Sequence, residues 1–451
     1  MKKKLLFLLP ALALAGFICL GCKPSGSIDE EEQENLSGGV LVENNMIFDS
    51  RPALTVHIEN PNKVKMEAKV KLSITTDMGN AVATLEKTVN VGKKGTADIP
   101  FTTETALEPG FYKADCYING VHLRGSPFGI DPFHIVSAPD MQSDFNGFWE
   151  TAINQLPPIN EGIVRMVEIP KRSNDNCKVY FVELLSVPDG PDTDPVKVRG
   201  YYLEPRDGKK HPVIMHFQGY DTNNNPSKIY TPYGNAGDYA EFYLSHRGQY
   251  INSRTAAKRD DGIEEDFENI YGDWFAYNFG NKDGYYYRGA FMDCVQAVRF
   301  MSTRSACDMN NLFAEGSSQG GALCYACAAL SDYPFTAIAP NVAFLGDFPD
   351  YFKIVGWPGN VAKENQGSMT DEQMYAFLSY FDTKNLATRI SCAVYATSGL
   401  RDGTCPPHTN VAPYNNLLST DKQMFFYPEM THDYPPNWNN DIMKFFKAHI
   451  H

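Results

Sequence analysis

The stretch LFAEGSSQGGALCYACAAL, residues 312 to 330, carries residue types suited to nucleophilic chemistry. Within it, Gly316-Ser317-Ser318-Gln319-Gly320 fits the pattern G-x-S-x-G. Gly is 35 of the 451 residues, so a chance match is expected about 0.2 times per chain, and the surroundings must decide. A serine hydroxyl is nearly inert at neutral pH, so a base must lie within bonding reach of it, oriented in turn by a third group. Ser318 is the predicted nucleophile, and its rival Ser317 sits off the apex of the turn. The histidines that follow are His408, His432, His449 and His451. His449 and His451 end the terminal helical pattern, too late to reach the nucleophile, and His408 lies one position beyond a Pro-Pro pair. His432 follows the strand-like run QMFFYP in the loop EMTHDYPPN, and we read it as the base. Asp402, in the loop after AVYATSG, is the predicted orienting carboxylate. Asp382 precedes its strand at the wrong end, and Asp433 adjoins the histidine too closely for such geometry. The N–H of Gln319 is one expected oxyanion donor, and that of Tyr220, after the strand HPVIMHFQG, is the second.

Strands and helices must position these groups. From about Ala138 onward strand-like runs alternate with helical ones. The expected strands are VKVRGYYLEP, HPVIMHFQG, LFAEG, FTAIAPNVAFL, SCAVYATSG and KQMFFYP. The expected helices include YRGAFMDCVQAVRFMST, GALCYACAALS, a segment around GDYAEFYLS and a last one, NDIMKFFKAHI. Such alternation predicts a mostly parallel sheet covered on both faces. Loops at the carboxyl ends of its strands are where such sheets place their chemistry. The order Ser…Asp…His fits an α/β-hydrolase and neither of the other common triad orders. Before this part, residues 39–137 alternate at period two and are broken by NPNK, DMGN, GKKG and EPG, which predicts about seven short strands in an immunoglobulin-like β-sandwich. This domain shows no catalytic constellation; it is a spacer or a glycan-binding module. Residues 344–385, rich in Phe and Tyr and carrying Trp357, are a candidate substrate-facing cap, with ordinary core packing as the alternative.

The N-terminus reads as an address. Residues 1–21 start with Lys2, Lys3 and Lys4, run apolar from Leu5 and end in small residues before Cys22. The apolar run, about 16 residues, is short of the roughly 20 that a spanning helix needs. Leu20-Gly21-Cys22 suggests a bacterial lipobox with Cys22 acylated, although Cys19 stands where Leu is usual. Residues 22–38 are polar and acidic and predict a flexible tether. A lipid-anchored place in the bacterial cell envelope follows, periplasmic or at the outer surface. The formal charge is −14, and loss of the three leader lysines makes the mature chain −17, which argues against nucleic-acid partners. The other cysteines, 116, 177, 294, 307, 324, 327, 392 and 405, form no disulfide framework. Cys324-x-x-Cys327 reads as buried apolar filler in a helix. No Cys/His cluster has zinc spacing, so no metal is expected, and the chemistry needs no cofactor.

Several segments in order resemble the acetyl xylan esterase and cephalosporin-C deacetylase family, carbohydrate esterase family 7. They are DFNGFWE (144–150), FQGY (217–220), RGQ (247–249), YYYRGAFMDCVQAV (285–298), GSSQGG (316–321), LSYFD (378–382), GLRDGTCPPHT (399–409) and THD (431–433). The resemblance implies an α/β-hydrolase that removes O-acetyl groups from acetylated plant polysaccharide or oligosaccharide. It implies Ser318, Asp402 and His432 as triad, Tyr220 and Gln319 as oxyanion donors, and Arg247, Gly248 and Gln249 as a motif supporting the site. It also implies a homo-oligomer, often a ring-shaped hexamer. Three positions depart from the family pattern: Asp433 replaces a usual Glu, Ser317 a common Gly, and the Asp usual before the Arg is missing. The competing readings are a non-catalytic glycan-binding lipoprotein and a peptidase or other carboxylesterase on the same fold.

Overall fold

The computed structural model describes residues 33–221, 237–249, 251 and 270–451. The leader and Cys22 lie outside the described residues, as does most of the tether. No described helix is long and apolar enough to cross a membrane.

The first part is built from nine strands: β1 (Ser37–Val40), β2 (Ile47–Phe48), β3 (Leu54–Glu59), β4 (Met66–Thr76), β5 (Ala81–Val91), β6 (Thr96–Phe101), β7 (Gly110–Ile118), β8 (Val121–His122) and β9 (Ser126–Ile130). They form one sheet in the order β1-β3-β6 and a second in the order β2-β9-β7-β4-β5, with β8 paired to β7. The alternation seen in the sequence sets the faces: Ala68, Val70, Leu72 and Ile74 of β4 are buried while the residues between them face outward or are half-buried. Nine strands stand where about seven are expected, because two-residue strands such as β2 and β8 carry no period.

The second part is one nine-stranded sheet: β10 (Ile163–Glu168), β11 (Cys177–Pro188), β12 (Pro195–Pro205), β13 (His211–Phe217), β14 (Ala240–Ser245), β15 (Cys307–Ser317), β16 (Ala337–Asn341), β17 (Ala393–Gly399) and β18 (Lys422–Tyr427). Its order is β10-β11-β12-β14-β13-β15-β16-β17-β18. From β14 to β18 every neighbour pair is parallel, and β10, β11 and β12 add an antiparallel edge. One element differs from its expectation. GDYAEFYLS contributes the strand β14, not a helix, and all of its residues are buried. A strand covered on both faces shows no alternation, so its apolar run resembles a helical one. Neither β10 nor β11 was expected.

The two parts share a core. Phe111 of the sandwich packs on Phe426 with ring centroids 5.8 Å apart, and Phe133 packs on Tyr414 at 5.5 Å. Arg401, one residue before the predicted acid, donates from Nη1 to the carbonyl of Gly125 in the sandwich at 2.8 Å. All eight described cysteines are free, and seven of them are buried.

Candidate active site

β15 runs straight into the helix Gln319–Leu330, and the turn between them forces Ser318 to φ 60°, ψ −121°. That region is costly for a side chain with a Cβ, and here the surroundings over-determine it. Ser318 N–H donates to the Asn341 carbonyl at 2.9 Å, and its own carbonyl accepts from Phe344 N–H at 3.0 Å. The two glycines of the motif are required by contact. A Cβ on Gly316 would meet the Gly320 carbonyl oxygen at 2.5 Å, and one on Gly320 would meet the Phe217 carbonyl oxygen at 2.2 Å. The helix axis therefore starts against β13 with its N-terminus beside the serine, where its dipole favours negative charge.

His432 Nε2 lies 2.9 Å from Ser318 Oγ, and Nδ1 lies 2.8 Å from Asp402 Oδ2. Asp402 Oδ1 accepts the N–H groups of Thr404 and Cys405, each at 2.8 Å. That oxygen is thus fixed by the loop, and Oδ2 is left facing the imidazole. With the carboxylate holding Nδ1–H, the lone pair of Nε2 faces the hydroxyl. The acid loop and the histidine loop are joined through Arg401 N–H, which donates to the Met430 carbonyl at 3.1 Å. The rival side chains are engaged elsewhere. Ser317 Oγ accepts from Asn341 Nδ2 at 2.8 Å. Asp382 is buried as the cap of a short helix and accepts the N–H of Lys384 at 2.9 Å. Asp433 accepts from Tyr434 N–H at 2.7 Å. His449 pairs with Asp421, and His408 lies among three aspartates.

The two expected oxyanion donors flank the serine. Gln319 opens the helix and is fully buried. Gly219, next to Tyr220, is close enough that a Cβ on it would lie 4.0 Å from Ser318 Cβ. The Tyr220 phenol donates to Asp273 Oδ1 at 2.7 Å, and its ring packs against Trp357 at 5.5 Å. Trp357 in turn stacks on Phe344 at 5.3 Å.

The Arg-Gly-Gln segment is anchored by buried ion pairs. Arg247 is buried, and its fork grips Asp293 through Nε at 3.1 Å and Nη2 at 2.7 Å. Nη1 reaches Asp189 at 2.5 Å, and Nη2 also donates to the Val187 carbonyl at 3.0 Å. Burial alone would lower its pKa, but Asp293 outweighs that and keeps the guanidinium charged. Gly248 has φ 81°, and the Gln249 carbonyl accepts from Ser245 Oγ at 2.9 Å. Arg247→Met would leave Asp293 buried without its partner, a change expected to cost about 3–5 kcal/mol. Urea unfolding of the variant and the wild type measures it.

A chain of hydrogen bonds leads from this anchor to the oxyanion side. His246 occupies the position where the family pattern has Asp. Gln319 Nε2 donates to His246 Nε2 at 2.9 Å, His246 Nδ1–H points to the Tyr286 oxygen at 2.9 Å, and Tyr286 O–H donates to the Arg247 carbonyl at 2.8 Å. Tyr287 O–H closes the other side on Gln319 Oε1 at 2.9 Å. Burial lowers the His246 pKa to about 4, so the ring stays neutral and can accept from the amide. Sequence reasoning missed His246, Tyr286, Tyr287 and Asp293. The available signal was the one carboxylate, Asp293, in the middle of the largely buried helix Tyr286–Ser302.

A parallel sheet with a strained serine at the strand-to-helix turn, and an imidazole and a carboxylate converging from later strand ends, defines the α/β-hydrolase class. The family model described as acetyl xylan esterase (AXE1) matches residues 135–450, and the chain belongs to that family. The matched segment leaves out the sandwich. The chain is similar to the acetyl esterase Axe7A of Xylanibacter ruminicola, 25% identical over 356 residues that cover 77% of this chain and 76% of that protein. Among solved structures, acetyl xylan esterase 1 from Thermoanaerobacterium sp. JW/SL YS485 superposes with a TM-score of 0.58 at 23% identity, over 70% of this chain and 96% of its own. The acetyl xylan esterase from Paenibacillus sp. R4 gives 0.57 at 26% identity, over 70% and 97%.

Proposed function

We propose that this protein is a serine esterase that removes O-acetyl groups from acetylated xylan or xylo-oligosaccharides, with Ser318 as nucleophile, His432 as general base and Asp402 as its orienting carboxylate. The observation that carries the reading is the single imidazole bridging Ser318 Oγ at 2.9 Å and Asp402 at 2.8 Å. Ser318 attacks the acetyl carbonyl carbon while His432 takes its proton. The backbone N–H groups of Gln319 and Tyr220 receive the developing oxyanion, each contributing about 3 kcal/mol to lowering the barrier. The tetrahedral intermediate collapses, the C–O bond to the sugar breaks, and His432 protonates the leaving alcohol. Water then attacks the acetyl-enzyme, with His432 again taking the proton, and acetate leaves.

Membership in the acetyl xylan esterase family and the similarity to Axe7A support the substrate class. The rings of Tyr220, Phe344 and Trp357, packed on one another next to the segments that hold the Ser318 turn, support a short acyl group. Attachment at Cys22 through a lipid, an envelope location, an immunoglobulin-like assignment for the sandwich and self-association belong to the same proposal, on the sequence features described above.

The test is acetate release from acetylated xylo-oligosaccharides, run beside a series of nitrophenyl esters. Acetyl esters are expected to be cleaved roughly 10- to 100-fold faster than hexanoyl esters, the discrimination that a few methylenes allow. No turnover of any ester would favour a glycan-binding protein. Preference for long acyl chains or for peptides would favour another hydrolase of this fold.

A further inference from the structure

Where the sandwich meets the hydrolase, the helix Pro407–Asn415 buries an imidazole among carboxylates. His408 is 7% exposed. Its Nε2 lies 3.3 Å from Asp350 Oδ2 and 3.7 Å from Asp347 Oδ2, and its Nδ1 lies 3.3 Å from Asp77 Oδ2 of the sandwich. None of these approaches has hydrogen-bond geometry: both ring nitrogens and Asp77 Oδ2 are buried without a hydrogen-bond partner. A single N–H on Nε2 cannot serve two carboxylates at once.

The spacing fits a metal better. In a tetrahedral site with bonds of about 2.0–2.2 Å to N and O, neighbouring donor atoms stand roughly 3.4 Å apart. The observed 3.3 and 3.7 Å bracket that edge. Asp347, Asp350 and His408 each offer one donor atom, and the three atoms lie within 4.8 Å of one another. The other carboxylate oxygens are held by lysines, Asp347 Oδ1 by Lys384 at 2.9 Å and Asp350 Oδ1 by Lys353 at 2.8 Å. Ser137 Oγ also donates to Asp347 Oδ2, and Lys384 reaches Asp140 at 3.2 Å.

We propose that Asp347 Oδ2, Asp350 Oδ2 and His408 Nε2 bind one divalent cation of the zinc class, with the Asp77 carboxylate, 3.3 Å behind Nδ1, as the charge that supports the ring. A carboxylate on the far nitrogen of a ligating histidine is the usual outer support of such a site. Two carboxylates and an imidazole suit a borderline cation. The ion would clamp the start of the helix Phe348–Ile354, the segment after the acid loop and the sandwich into one body. It takes no part in the acyl transfer. Sequence spacing does not reveal it, because the donors and their support come from positions 77, 347, 350 and 408.

The experiment is calorimetric titration of zinc chloride into purified protein stripped by a chelator, with Tm followed in parallel. One equivalent bound and a rise in Tm are expected. Asp350→Asn, at a partly exposed position, should weaken binding at least about 10-fold while circular dichroism stays unchanged. His408→Gln should do the same. Absence of stoichiometric binding to the wild type would overturn the proposal and leave a protonated histidine as the occupant. Undiminished binding in Asp350→Asn would overturn it as well, by placing the ion elsewhere.

Discussion

Ser318→Ala is expected to lower kcat for acetate release by about 10⁶-fold, with KM changed little. The substitution removes the only atom that forms the acyl bond and leaves the packing of the turn intact. The scale, roughly 8 kcal/mol of barrier, is that of nucleophile loss in hydrolases whose triad acts as a unit. A residual rate over solvent should persist, because the N–H groups of Gln319 and Tyr220 remain aimed at the carbonyl oxygen. Ser317 offers no rescue: its hydroxyl is bound to Asn341 on the far side of the turn. Steady-state kinetics on acetylated xylo-oligosaccharides, with an unfolding curve to show that the fold persists, measure the effect.

Asp402→Asn is the second large effect, expected at about 10⁴-fold in kcat. Asparagine keeps a carbonyl oxygen to accept the N–H groups of Thr404 and Cys405, so the loop is retained. Its amide N–H then faces His432 Nδ1, and the ring must present its lone pair there. The proton moves to Nε2, where it points at Ser318 and blocks proton transfer from the hydroxyl. A role for Asp402 in folding alone would instead lower the urea midpoint and leave kcat per folded molecule unchanged. The prediction is the reverse: a small shift in midpoint and a large loss of kcat.

How far the sequence spoke depended on whether the relevant physics was local. The turn around Ser318 was legible because two glycines at fixed spacing report a close backbone approach, and the contacts of Gly316 and Gly320 supply the reason. His432 and Asp402 were legible because each follows a strand in the order this fold requires. β14 was misread because burial on both faces erases the alternation that marks a strand. The chain from Arg247 through Tyr286 and His246 to Gln319 was invisible, since it joins side chains brought together only by the sheet and two helices. The same holds for His408, which the sequence offers only as a possible base and which lies among aspartates from two other segments.

The central claim is that Ser318, His432 and Asp402 act as one catalytic unit. The direct test is kcat for acetate release in the Ser318→Ala/Asp402→Asn double variant, compared with each single variant. If the residues act together, the double variant is no slower than Ser318→Ala, because the base has nothing left to activate. Losses that multiply, or a Ser318→Ala variant that retains most of the wild-type rate, would contradict the account.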